Sequence, residues 1–245
     1  MSEVVQSLWI GPRLSAMERL SIESFLRHGH EFHLYTYGDV GSVPRGAAVR
    51  NGREILPEEL IFFYRDFPSV SGFSNFFRYK LLLDRGGWWV DADVVCLRPF
   101  DFAGEHVFAS ELSKGVPFVS TAAIRAPRGS EAMAWAWDVC RSKDPAQLRW
   151  GETGPALLAA AVERFALQDA VAEPAVFCPI PYAEWRRAID PAPALELPPQ
   201  SAAVHLWNEM WRREGCDKDA PYDARCLYER LKRETRGGEE TARTG

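Results

Sequence analysis

Two carboxylates one residue apart, Asp91 and Asp93, lie in the stretch SGFSNFFRYKLLLDRGGWWVDADVVCLRPF. In an extended segment alternate side chains point the same way, so both acids would share a face and Ala92 would take the other. They would then sit about 7 Å apart along the backbone, behind a run of apolar residues, and repel each other. A divalent cation removes that repulsion. Hard oxygen ligands suit Mg²⁺ or Mn²⁺, which usually keep positions open for substrate phosphates. The plain alternative is a solvated acidic turn, since D-x-D alone is common by chance. A helix, a glycine pair and an apolar strand directly before it favour the metal reading.

Those preceding elements are what must aim the acids. Phe73, Phe76, Phe77, Leu81 and Leu83 recur at helical spacing, and Asn75 and Arg78, three apart, share another face. Gly86-Gly87 ends the helix. Trp88-Trp89-Val90 reads as a short buried strand delivering the acids, and Val94–Leu97 continues extended until Pro99. Arg78 on so apolar a helix is either a structural partner of Asp84 or Asp91, or a fork for phosphate or sugar oxygens. Elsewhere, Glu152-Thr153-Gly154-Pro155 opens a helix with Thr153 or Gly154 as N-cap and Pro155 at N1. Its free N–H groups favour anions and sugar hydroxyls. Leu8-Trp9-Ile10-Gly11 ends the first strand at the carboxyl edge of the sheet, where open α/β sheets bind ligands. Its Trp9 could equally be a core residue. His205 stands two before Trp207, on the same face of a last strand, and a lone strand histidine is usually a satisfied core residue.

The chain has 245 residues, 47% hydrophobic and 26% charged, enough for one large domain or two small ones. A net charge of −5 argues against a nucleic-acid or anionic-membrane surface. Five scattered cysteines without a C-x-x-C motif point to reduced thiols and a reducing, cytoplasmic setting. MSEVVQSLWIG has neither a basic n-region nor a long apolar run, so no signal peptide is expected. No run of about 20 apolar residues exists, so no membrane span is expected; peripheral association stays open.

In order, the chain reads as a strand Val4–Ile10, a helix Ser15–His28 stopped by Gly29, and a strand Glu31–Tyr37. That βαβ beginning implies a parallel sheet covered by helices. Gly38–Gly52 reads as a polar connection and Glu58–Phe67 as a short helix after Pro57. Beyond the central stretch come strands Val107–Ser110 and Phe118–Ile124, a helix Ser130–Cys140, a helix from Pro155 to about Ala170, a short strand Ala175–Cys178 and a last strand Ala202–Trp207. A terminal helix over Asp223–Arg236 is followed by a polar tail, 237–245, expected to be disordered. With no linker or repeat visible, residues 1–236 read as one domain.

Four blocks together resemble a family. Leu8-Trp9-Ile10-Gly11, Ser74-Asn75-Phe76-Phe77-Arg78-Tyr79 running through Gly86-Gly87 to Asp91-Ala92-Asp93, Thr153-Gly154-Pro155, and His205-Leu206-Trp207-Asn208 occur in the order seen in glycosyltransferase family 32. That family groups D-x-D enzymes with capsular-polysaccharide, α-1,4-galactosyl and α-1,6-mannosyl transferases. The glucosyltransferase domains of clostridial toxins are more distantly similar. The resemblance implies a single-domain α/β GT-A fold with a mostly parallel central sheet, a nucleotide-sugar donor (a UDP-sugar by family weight), Mn²⁺ or Mg²⁺, and transfer with retention to a glycan, lipid-linked or small-molecule hydroxyl. It implies metal binding by Asp91, Asp93 and His205, with Asp93 bridging to the diphosphate and Asp91 also serving the ribose. It implies donor binding by Leu8, Trp9, Ile10, Gly11, Asn75, Arg78, Ala92, Thr153, Gly154, Trp207 and Asn208, with Trp9 on the uracil. Asn75 stands where relatives often carry Asp; Asn keeps an acceptor oxygen but loses the charge. Asn75 and Arg78 enter the candidate catalytic set, with Glu152 as the nearest candidate nucleophile.

Two other classes compete. Phosphohydrolases of the haloacid dehalogenase type also place D-x-D after an apolar strand, but usually on the first strand, with a later G-D-x-x-x-D that this chain lacks. A non-catalytic nucleotide-sugar-binding protein is the third reading.

Overall fold

The computed structural model describes residues 4–65 and 68–242. Strand β1 (Val5–Trp9), helix α1 (Ala16–Arg27) and strand β2 (Phe32–Thr36) form the expected βαβ unit. Ser15 caps α1 and Glu18 returns the bond to the Ser15 amide at 2.7 Å, a capping box that fixes where the helix starts. A short strand β3 (Ala48–Asn51) then pairs parallel with β2. Helix α2 (Ser71–Arg85) leads into β4 (Gly87–Val90), which lies parallel to β1. Strands β5 (Val94–Cys96), β6 (Val107–Ser113) and β7 (Val116–Ala126) follow. Helices α3 (Glu131–Arg141), α4 (Pro155–Arg164) and the single turn α5 (Pro174–Phe177) precede strand β8 (Ala203–His205), and α6 (Asn208–Arg213) and α7 (Leu227–Ala242) end the chain.

The central sheet has the order β3-β2-β1-β4-β7-β6. β3, β2, β1 and β4 run parallel, while β7 is antiparallel to both β4 and β6. This is the mixed, mostly parallel α/β sheet expected. Its faces are separated by strand alternation: adjacent Trp88 and Trp89 are both buried but go to opposite cores. Trp89, Leu8 and Ile124 meet α2, α3 and α4; Trp88, Val5 and Val90 meet α1 and the second sheet. That second sheet is β5 paired antiparallel with β8, putting Val94 opposite His205. Ser21 and Ser24 of α1 bind β5, through Ser21 Oγ to the Val94 carbonyl at 2.6 Å and the Cys96 amide to Ser24 Oγ at 2.8 Å.

Several elements differ from the sequence expectation. The connection 38–52 hides β3, whose mostly exposed Ala-Val-Arg-Asn carries no hydrophobic pattern. The expected helix from Glu58 is one 3₁₀ turn, Glu58–Leu60, and the end of that range falls outside the described residues. There Phe62 leaves the helical path and packs edge-on against Phe73 and Phe76, so tertiary contact overrides local propensity. The expected strand at Ala175 is the helical turn α5, with Pro174 at N1. Helix α4 stops at Arg164, and a 3₁₀ turn Gln168–Ala170 follows. Helix α7 starts at Leu227, later than expected, and continues to Ala242, so the expected tail is helical over 237–242; 243–245 lie outside the described residues.

Candidate active site

The acids do not stand on a strand. Asp91-Ala92-Asp93 is a turn between β4 and β5, closed by the Val94 amide donating to the Asp91 carbonyl at 3.0 Å. The alternation argument therefore fails, because strand geometry ends at Val90. The turn nonetheless converges the acids: ligating atoms of Asp91, Asp93 and His205 all lie within 4.8 Å of one another. His205 arrives from 112 residues away, on β8, through the pairing with β5.

Asp91 is held from below. Arg78 Nη2 donates to Asp91 Oδ1 at 2.8 Å and to Ser74 Oγ at 3.2 Å, and Trp89 Nε1 donates to the same Asp91 oxygen at 3.0 Å. The guanidinium also stacks over the Trp89 ring at 4.9 Å. Arg78 is 4% exposed at its side chain against 25% for Asp91, so the acid faces the open side and the arginine supports it. Of the two roles open to Arg78, the structure displays the pairing with Asp91; Lys80 takes Asp84. Burial pushes the Asp91 carboxyl up, against the opposing pull of Arg78.

Asp93 is held from the side. Its Oδ2 receives the Asn208 amide at 2.7 Å and faces His205 Nε2 at 3.1 Å. Burial alone would raise its pKa, but the His205 charge, the His205 hydrogen bond and the Asn208 amide together hold it below the usual carboxylate range. Conversely, burial would lower His205, yet the charge and hydrogen bond of Asp93 carry it well above its ordinary value. Trp207 makes this geometry possible. It adopts φ 59°, ψ 50°, a left-handed conformation that costs a non-glycine residue about 1–2 kcal/mol. The kink aims the Asn208 amide at Asp93, and the Trp207 ring lies 3.9 Å from the His205 ring with its Nε1 on the Ile180 carbonyl.

Asn75 and Thr153, 78 residues apart, also meet. Asn75 Nδ2 donates to Thr153 Oγ1 at 3.4 Å, and a Cβ at Gly154 would come within 3.2 Å of Asn75 Nδ2. Gly154 is the N-cap of α4 with Pro155 at N1, and its carbonyl accepts from Tyr79 Oη at 3.2 Å. The helix N-terminus is thus covered by the α2 face that carries Asn75 and Arg78.

Other candidates fall elsewhere. Glu152 is engaged by Lys143 at 2.9 Å and by the Arg149 amide at 3.2 Å, which hold its carboxyl low, and no described contact joins it to the acidic turn. Leu8 is buried in the core and Ile10 packs against it. Trp9 is half-buried at the carboxyl end of β1, with Gly11 against its indole and Lys218 over its ring at 5.6 Å. Trp89 and Tyr79 are not singled out as site residues by the sequence, and Asn208 is expected at the donor, not as the amide that holds Asp93. Trp89 could have been found, standing two before Asp91; nothing local marks the others.

The donor set suits a hard divalent cation. It offers two carboxylates and an imidazole, with Asp93 ionised and Asp91 supported from the side away from solvent. Among the described residues no helix is long and apolar enough to cross a membrane, and all five cysteines are free.

Comparison with known proteins adds one positive finding. Residues 146–235 match the family described as the alpha 1,4-glycosyltransferase conserved region, which spans Thr153-Gly154-Pro155 and His205–Asn208. The resemblance to glycosyltransferases, argued above from four blocks, is thereby found independently for the last two. No curated protein matches the chain. Solved structures with a similar chain trace include a galactosyltransferase, LgtC, in complex with donor and acceptor sugar analogues, at 12% identity over 97% of this chain and 95% of that one, TM-score 0.48. They also include the apo glycosyltransferase GlyE of Streptococcus pneumoniae TIGR4, at 14% identity over 98% and 64%, TM-score 0.48. The PaToxG glycosyltransferase is 13% identical over 67% and 69%, TM-score 0.47. Likenesses this distant carry none of the functional argument.

Proposed function

We propose that this chain is a retaining glycosyltransferase that moves a hexose from a UDP-sugar to a hydroxyl acceptor, with Mn²⁺ or Mg²⁺ bound by Asp91, Asp93 and His205. The observation that carries the reading is the convergence of those three side chains from β4–β5 and β8, inside a chain whose residues 146–235 match a glycosyltransferase region. A cation there would supply positive charge against the leaving diphosphate. Arg78 and Trp89 fix the Asp91 carboxylate, and the Asn208 amide fixes Asp93, so neither acid has to be ordered when donor binds. Asn75, Thr153 and Gly154, bonded among themselves and to Tyr79, would exchange those contacts for sugar or ribose hydroxyls when donor binds. Trp9, with Gly11 beside it, offers a ring face to the uracil, between Leu8 and Ile10. Ala92, Trp207 and Asn208 complete the donor wall.

Front-face attack fits these residues better than double displacement. In that route the acceptor oxygen bonds to the anomeric carbon on the face from which the diphosphate leaves, and its proton passes to the departing phosphate oxygen. Glu152, the nucleophile that double displacement would call on, is engaged by Lys143. The acceptor is a glycan, a lipid-linked sugar or a small molecule, in a cytoplasmic route of bacterial polysaccharide synthesis, and residues 1–236 act as one catalytic domain.

Donor hydrolysis tests the reading. Protein with Mn²⁺ is offered UDP- and GDP-sugars, and release of nucleoside diphosphate is recorded beside Asp93→Ala. The expected result is cation-dependent release from one donor, lost in the variant. Phosphate release from phosphomonoesters would instead select the phosphohydrolase class. Donors that neither bind by calorimetry with Mn²⁺ present nor react would remove the glycosyltransferase reading.

A further inference from the structure

The His205 ring also meets a second group of side chains. Glu111 comes from β6, Ser120 from β7 and Cys178 directly follows α5. Ligating atoms of Glu111, Cys178 and His205 lie within 4.8 Å of one another, and all three residues are buried. Ser120 Oγ donates to Glu111 Oε2 at 3.1 Å. His205 Nε2 already faces Asp93, while the buried Nδ1 makes no hydrogen bond of good geometry, although the Cys178 thiol interacts with the ring and helps raise the His205 pKa. A buried ring nitrogen and a buried carboxylate side by side call for a common explanation.

The chemistry of an imidazole ligand supplies it. A ring that offers the Nε2 lone pair to a cation keeps its proton on Nδ1, and that proton needs an acceptor that also holds the ring in plane. The Glu111 carboxylate is the stronger acceptor in reach, and the Cys178 sulfur, which also bears on the ring, lies beside it.

We propose that Glu111, with Cys178 beside it, is a positioning group for His205: it receives the Nδ1 proton, directly or through one water, and so presents Nε2 to the cation held with Asp91 and Asp93. This rests on the reading of those three residues as a cation site. The groups of β6 and β7 that bear on the pocket are not used by the proposed transfer itself, and nothing local in the sequence marks them. Glu111 stands in ASELS and Cys178 in VFCPI, without motif spacing.

Two measurements test it. In the first, Mn²⁺ affinity is read from the free-ion electron paramagnetic resonance signal for the wild type, Glu111→Gln, His205→Ala and the double variant. Glu111→Gln is expected to weaken Mn²⁺ binding about 10- to 100-fold, the range typical of lost support for a metal ligand. In the His205→Ala background the same change is expected to add nothing. An unchanged affinity, or an equal loss in both backgrounds, overturns the proposal. The second needs no metal. ¹⁵N-edited proton spectra of the metal-free protein at neutral pH are expected to show a slowly exchanging His205 Nδ1–H, shifted in Glu111→Gln while Nε2–H stays in place. An Nδ1–H that is absent, or unmoved by the variant, overturns the proposal whether or not a cation binds. A wild type that binds no Mn²⁺ yet shows this Nδ1–H removes the cation site and leaves Glu111 as the partner of His205. Should Glu111→Gln not fold, Glu111→Asp, whose shorter side chain withdraws the carboxylate from the ring, carries both measurements, with the same direction expected.

Discussion

His205 and Asp93 set each other's charge. Burial opposes ionisation of both, and each is held ionised by the other, with the Asn208 amide adding a charge-assisted bond worth about 1.5–3 kcal/mol. The sign of the pH dependence follows. A histidine whose folded pKa is raised contributes stability that is complete below its unfolded value near 6.5 and is lost as pH rises through the folded value. Cation binding runs the other way, because the ion must displace the Nε2 proton. Mn²⁺ affinity is therefore expected to rise about tenfold per pH unit from pH 6.5 upward and to level off once His205 is neutral. In His205→Ala the affinity is expected to be weaker and flat over the same window. Dissociation constants measured from pH 6 to pH 9 check this; a wild-type constant independent of pH would show that His205 does not bind the ion.

At the scale of the element, α2, the glycine pair and β4 act as one arm that delivers Asp91. Gly86 turns the chain at φ 68°, and a Cβ there would stand 2.5 Å from the Arg128 amide nitrogen, a backbone atom that cannot step aside cheaply. Gly29, after α1, has φ 80° with nothing within 4 Å of its Cβ position. Gly29 carries a conformational cost alone, whereas Gly86 combines a glycine-only backbone with a clash. Gly29→Ala should destabilise by about 1 kcal/mol, from the left-handed backbone alone. Gly86→Ala should cost at least about 3 kcal/mol, because φ 68°, ψ −167° is a backbone region essentially reserved for glycine and overpacking adds to that penalty. Urea unfolding of both variants checks the contrast, and equal losses would refute the steric account. This arm was largely legible in sequence: the helical spacing of Phe73, Phe77 and Leu81, the Gly-Gly stop and the apolar Trp-Trp-Val each act locally. The turn that follows was not. Whether Asp91 and Asp93 sit on a strand or a turn depends on one hydrogen bond from Val94, and no residue in the turn announces it. Likewise the partners of Asn75 and Arg78 lie across the fold, so their types predicted polar work while their contacts had to be seen.

At the scale of the molecule, the site exists because a small second sheet is clamped against the large one. The β5–β8 pairing, with the Leu206 amide on the Asp93 carbonyl, carries His205 to Asp93, and its short strands cannot hold that geometry alone. The third apolar cluster holds them. It joins Met17 and Leu20 of α1, Val95 of β5, Val204 and Leu206 around β8, Trp185, Trp211 of α6, and Leu227, Tyr228 and Leu231 of α7. Trp211 is fully buried at its centre, and its Nε1 donates to the Leu206 carbonyl at 2.8 Å, one residue beyond His205. Nothing local in the sequence assigns Trp211 this place, since the cluster gathers residues from both ends of the chain. Trp211→Ala is expected to cost about 3–5 kcal/mol, the range for emptying a buried aromatic site. Its effect on Mn²⁺ should exceed what global unfolding explains, because the Leu206 carbonyl loses its partner beside the ligand. Leu20→Ala, in the same cluster but on α1, is the comparison: about 2–5 kcal/mol of stability lost, with Mn²⁺ affinity of the folded fraction within twofold of wild type. Urea denaturation paired with Mn²⁺ titration separates them. If both variants lose affinity alike, the clamp acts only through overall stability, and the Trp211–Leu206 bond has no special hold on His205.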